Sequence, residues 1–148
     1  MKLNRILAML IALLLLLAVP ALCEGETDWQ AVVDEGWTAY KNKDYTTALN
    51  LWLTVPTEHM DGLVANNIGW MHDHGEGVAE DDAKALEWYL IGHEKGNMTA
   101  TANAGIMYYN AKNYSEAYKY FSQCEVDSLG KTAAYVFGLM YDDGRGVD

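Results

Sequence analysis

Four glycines set at nearly equal intervals constrain this chain more than anything else in it. Gly36, Gly69, Gly105 and Gly138 are separated by 33, 36 and 33 residues, each inside an apolar-patterned stretch compatible with helix. A glycine in mid-helix costs ~1 kcal/mol against alanine, so one that returns at such a period marks a structural requirement. Close approach of a second helix onto bare backbone meets that requirement. The period itself matches the ~34 residues of a helix–turn–helix repeat.

The second half of each period supplies the partner. Ala48 is followed four residues later by Trp52, Ala85 by Tyr89 and Ala117 by Phe121. That spacing puts a small and a large side chain on one helix face, where they interlock with the first helix. The predicted architecture is therefore all-α, a solenoid of antiparallel hairpins at about 29–56, 63–96 and 99–126, with a half hairpin at 131–148. The last hairpin lacks its second helix. A repeat stack needs a polar cap at its end, so either the last helix packs alone or, the preferred reading, the sequence is a piece of a longer chain. No stretch sustains a two-residue alternation, so no sheet is expected.

Hairpin two is the longest. Gly69 to Ala85 is 16 residues, against 12 for Gly36 to Ala48 and for Gly105 to Ala117, and the extra four fall in Gly75-Glu76-Gly77-Val78. Helix caps are expected at Asp44, at Asp81 or Asp82, and at Asn113 with Glu116 as a capping box. Gly96-Asn97 and Gly130 punctuate the joins, and Val55-Pro56 closes the first hairpin.

Residues 1–23 stand apart from this pattern. Lys2 and Arg5 precede an unbroken apolar run from Ile6 to Val19, and Pro20 breaks it before Ala21-Leu22-Cys23. The run of 14 residues is shorter than the ~17–25 a membrane-spanning helix needs. A cleaved secretory signal is the expectation, with cleavage after Ala21 or Cys23 left open. The bulky Leu22 argues against a lipid anchor on Cys23. Loss of the segment moves the formal charge from −11 to −13, since it carries two cations and no acid. Nucleic-acid phosphates and anionic lipid are disfavoured as partners of so acidic a chain, and no stable membrane insertion is expected after cleavage.

Hairpin two resembles the Sel-1-like repeats, a family related to tetratricopeptide repeats. Ile68-Gly69, His72, Gly75, Gly77-Val78, Asp81, Lys84-Ala85, Trp88-Tyr89, Gly96 and Ala100 fall in that family's register. Gly138, Tyr141, Gly144 and Gly146-Val147 repeat its first half, while hairpins one and three look like ordinary tetratricopeptide units. Two departures stand out: His72 replaces a tyrosine, and Gly92-His93 replaces a small apolar pair. The resemblance implies a right-handed α-solenoid serving as a non-enzymatic scaffold or adaptor for a protein or peptide partner. In such folds the first helix of each hairpin lines the concave surface. By register this selects Trp37, Trp70, Ile106 and Leu139 as a ladder, with Asn66 and Tyr135 upstream and Tyr40, Asp73, Tyr109 and Asp142 downstream. Against it stands the reading in which Trp37 and Trp70 pack between adjacent first helices as core.

Other motifs in the chain have plain packing readings as well. His72 and His74 are two residues apart, so on a helix they point about 200° away from each other, and His72 already has a packing role. No cofactor or metal site is expected. Ser128-Leu129-Gly130-Lys131 has the nucleophile spacing of penicillin-interacting enzymes, but neither Ser-Asp-Asn nor Lys-Thr-Gly follows it. An exported β-lactam-processing hydrolase is the competing function, and a fragment without independent function is a third. Cys124 sits in a small-residue slot shared with Val55 and Gly92 and is expected to be buried and inert. Asn97 and Asn113 head glycosylation sequons, relevant only in a eukaryotic secretory pathway.

Overall fold

A computed structural model describes residues 27–125 and 129–146. The expected signal segment and Ser128 lie outside the described residues. The described chain is α-helical throughout, with no strand. Helix α1 (Trp29–Lys41) pairs with α2 (Tyr45–Trp52), α3 (Gly62–His74) with α4 (Asp82–Glu94), and α5 (Met98–Asn110) with α6 (Tyr114–Phe121). Helix α7 (Lys131–Asp142) follows, and a short 3-10 turn, Thr57–His59, joins the first two hairpins. The fold is an α-solenoid.

Helix starts are set by short polar side chains. Asp28, Asp44, Asp61, Asp81, Asn97 and Asn113 each accept a hydrogen bond from the backbone N–H three residues on, satisfying a donor that the helix leaves open. Asp81, not Asp82, caps α4. The expected capping box at Asn113 forms only half: Asn113 caps the Glu116 N–H, but its own N–H bonds to the Tyr108 carbonyl, and Glu116 pairs with Lys119 at 3.0 Å. Two second helices are shorter than their sequence pattern suggests. Helices α2 and α6 have eight residues each against 13 in α4, and α2 ends at Trp52, well before Pro56.

Gly36, Gly69 and Gly105 meet their predicted partners. A methyl group added to Gly36 would run into the Trp52 indole, one on Gly69 would lie 2.7 Å from the Tyr89 ring, and one on Gly105 would lie 2.6 Å from the Phe121 ring. These three rings are buried, and the Trp52 Nε1–H donates to the Val33 carbonyl at 3.3 Å. Full burial of each ring contributes roughly 1.5–3 kcal/mol, obtained only because the facing residue has no side chain. Gly138, in the same register, has no neighbouring atom within 4 Å of a hypothetical Cβ.

The connections divide into two kinds. In hairpin two, Gly75 and Gly77 take left-handed conformations at φ 67° and 76°. Gly77 also lies against the backbone of Tyr45 and Thr46 at the start of α2, where a Cβ would come within 2.6 Å of the Thr46 nitrogen. Gly146 makes the same close approach to Tyr114 at the start of α6. The glycine loop therefore docks onto the preceding hairpin as well as turning the chain. Hairpins one and three use tight turns, with Lys43 and Lys112 at φ 63° and 62°.

The core falls into three clusters along the stack. One cluster centres on Trp52, Val64, Ile68 and Met71, a second on Tyr89, Ala100 and Ala104, and a third on Phe121, Ala133, Val136 and Met140. Gly92 packs against Ala100, which explains the small residue there, and the His93 ring meets Tyr120 edge-on at 5.1 Å. Among the described residues, no helix is long and apolar enough to cross a membrane.

Candidate peptide-binding groove

Two recesses join into a groove across α3, α5 and α7. The first, of about 300 Å³, has walls from Trp70, Asp73 and His74 on α3 and from Asn103, Ile106, Met107 and Asn110 on α5. The second, of about 230 Å³, shares Asn103, Ile106 and Thr132 with it and runs on to Lys131. A third, of about 430 Å³, opens on the far side of Asp73 and Met107 towards Asp82 and Leu86.

The polar groups in the groove are held from behind. Tyr89 belongs to a second helix, yet its ring passes over the bare backbone of Gly69 and its hydroxyl donates to Asp73 Oδ2 at 3.1 Å. Burial, and then the Asp73 carboxylate, pushes the Tyr89 phenol far above its ordinary range, so it stays a donor. Asn103 Nδ2 donates to Asn66 Oδ1 at 3.1 Å, a bond between residues 37 apart in sequence. That bond fixes the Asn103 side chain and leaves its oxygen as an acceptor. His74 stacks on Trp70 at 4.6 Å, with Nδ1 3.1 Å from the Trp70 carbonyl. The wall mixes polar and apolar side chains in about equal measure, and several of its polar groups are held in orientation.

A search against protein-family models matches none. Among solved structures, a crystal structure of a Sel1 repeat protein from Oxalobacter formigenes superposes with a TM-score of 0.66 at 29% identity, covering 77% of this chain and 48% of that one. A sel1-like repeat-containing protein of Acanthamoeba polyphaga mimivirus is 33% identical over 66 residues, which are 45% of this chain and 12% of that protein. The chain is similar in sequence and in fold to Sel1-like repeat proteins. It spans about half the length of the solved relative and a much smaller share of the viral one.

Of the residues that the Sel1-like register selects, Trp70 and Ile106 of the ladder and the downstream Asp73 line the groove. Trp37, Tyr40, Tyr109, Tyr135, Leu139 and Asp142 line none of the three recesses. Trp37 meets Trp52 edge-on at 4.9 Å and Tyr40 at 5.7 Å, and Tyr40 in turn packs on Tyr45, so hairpin one spends its register aromatics on packing. Asn66 is a correction: it is only 8% exposed, because α5 covers it and its side chain serves Asn103. Tyr109 packs on Tyr114 and accepts a hydrogen bond from Arg145, while Tyr135 is 67% exposed. Leu139 is half-buried and Asp142 exposed on α7.

Asn103, Met107 and Asn110 went unread in the sequence, although with Ile106 they form a stripe at helical spacing on α5. Tyr89 and His74 carried no such signal, since Tyr89 enters from the second helix.

Other motifs resolve through burial. His72 is 4% exposed and His74 points outward, so the two rings face different surroundings. Among the described residues, no three potential ligands gather around a metal position. The Cys124 thiol is buried, and burial pushes its pKa up, away from nucleophilic reactivity. Asn97 and Asn113 serve as helix caps through their side-chain oxygens.

Proposed function

We propose that this chain is a non-catalytic interaction scaffold that grips a peptide segment of a protein partner in the groove of α3, α5 and α7. The observation that carries this reading is the continuity of the groove across three repeats, with its polar groups oriented by residues behind the wall. Groups already fixed lose little freedom when a partner arrives, which favours binding. The apolar leader of residues 6–19 supports a role outside the cytoplasm.

Selection of displayed peptides on the full chain tests the site. Enriched sequences are expected to lose binding to Ile106→Glu while that variant keeps its helical circular dichroism. Retention of the same peptides by Ile106→Glu would remove the groove from consideration. The non-catalytic part is tested with a chromogenic β-lactam, which is expected to stay intact; turnover abolished by Ser128→Ala would overturn it.

A further inference from the structure

The charged walls of the groove are unevenly placed. Asp73 and Asp82 stand at the α3–α4 end and Lys131 at the α7 end. Asp73 is the better placed acid, because it separates the first recess from the third and lines both. Its Oδ2 already accepts the Tyr89 hydroxyl and lies 3.6 Å from His74 Nδ1. Its Oδ1 carries no hydrogen bond among the described residues. The Tyr89 bond restrains the carboxylate in a recess that Ile106 and Met107 also line.

We propose that the groove takes an extended peptide carrying a lysine or arginine, whose cation seats on Asp73 Oδ1 while its aliphatic stem lies along Ile106 and Met107. This rests on the binding reading of the same groove and adds the chemistry of the partner. Long cationic side chains pack their methylenes on apolar surface and keep the charge at a polar edge, which is the arrangement this wall offers. The chain's net charge of −11 adds long-range attraction for a cationic segment and repels an acidic one. Oδ2 already accepts from Tyr89, so Oδ1 is the oxygen that offers a cation both of its lone pairs.

Fluorescence anisotropy on the full chain tests this with three short peptides, alternating alanine and leucine, identical except for a central lysine, glutamine or glutamate. The lysine peptide is expected to bind about ten-fold more tightly than the glutamine peptide, with the glutamate peptide weakest, a range ordinary for one charge-assisted contact. Asp73→Asn keeps an oxygen for the Tyr89 hydroxyl. It is expected to bring the lysine peptide down to the glutamine level without loss of helicity, and raised salt should narrow the same gap. Equal binding of all three peptides, still abolished by Ile106→Glu, overturns the cation assignment and leaves the groove reading standing. Binding of the lysine peptide that Ile106→Glu does not touch overturns both. No binding at millimolar peptide overturns the proposal, as does a dimer in sedimentation equilibrium that Ile106→Glu dissociates, since a second copy would then occupy the groove.

Discussion

Replacing Gly69 by alanine sets two effects of opposite sign against each other. The helix gains ~1 kcal/mol, because alanine loses less conformational freedom than glycine. The new methyl would stand 2.7 and 2.9 Å from two atoms of the Tyr89 ring and 3.1 Å from the Ala85 carbonyl oxygen. Carbon atoms prefer separations of about 3.5–4.0 Å, so the ring has to retreat by nearly 1 Å. Tyr89 is 1% exposed and its hydroxyl is tied to Asp73 beyond the glycine, which leaves it little room to do so. Overpacking of this kind costs about 1–3 kcal/mol, so Gly69→Ala should lose between nothing and about 2 kcal/mol. Gly138 is the internal control: it sits in a helix at the same register with nothing within 4 Å, so Gly138→Ala should gain up to about 1 kcal/mol. Urea unfolding of both variants, at unchanged slope, should separate their midpoints by roughly 1 M, with Gly138→Ala the higher. Because a repeat stack frays from its ends, hydrogen exchange in α7 should slow in Gly138→Ala even if the global midpoint barely moves. Equal stabilisation by the two substitutions would refute the argument that the repeated glycines exist to admit a ring.

The remaining predictions concern buried polar groups and turns. His72 is buried with Nδ1 unpartnered, and burial first, then Lys84, holds its pKa below 6.5. The unfolded chain therefore takes up a proton before the folded one, and stability should be level above about pH 6.5 and fall as pH drops. His72→Phe should lose less stability between pH 7.5 and 5.5 in chemical unfolding, and identical pH profiles would contradict the assignment. Asn66→Ala removes the acceptor that fixes Asn103 and should cost about 0.5–1.5 kcal/mol by thermal unfolding while weakening peptide binding in the groove. Lys43→Gly and Lys112→Gly relieve left-handed lysines at tight turns and should each raise the unfolding midpoint, by up to about 1 kcal/mol. A drop at either position would mean that the lysine side chain has a contact worth more than the strain.

Short-range pairing explains what could be read without coordinates. Gly36, Gly69 and Gly105 lie 16–20 residues from the rings that cover them, inside a single hairpin where helical period and turn length leave one way to pack. The all-α stack and the caps Asp44 and Asn113 followed from the same local rules. The caps fall where the chain turns, because an open helix N-terminus accepts few residue types. The groove is different. Trp37 and Trp70 hold the same register, yet Trp37 meets Trp52 edge-on and Trp70 stands in a recess beside His74 and Ile106. What separates them is the identity of side chains arriving from other helices, which no period encodes. The register position of Asn66 faces outward from its own helix, but α5 lands on it.

By itself, then, the order of residues determined the hairpins, their glycine–ring interlocks and the family register, since each depends on contacts that a helical period can place. Only the tertiary structure decided that Tyr89 reaches Asp73, that Asn66 holds Asn103, and that the two meet around one groove. Those contacts join side chains from different helices, and their partners are selected by how the hairpins lie on one another.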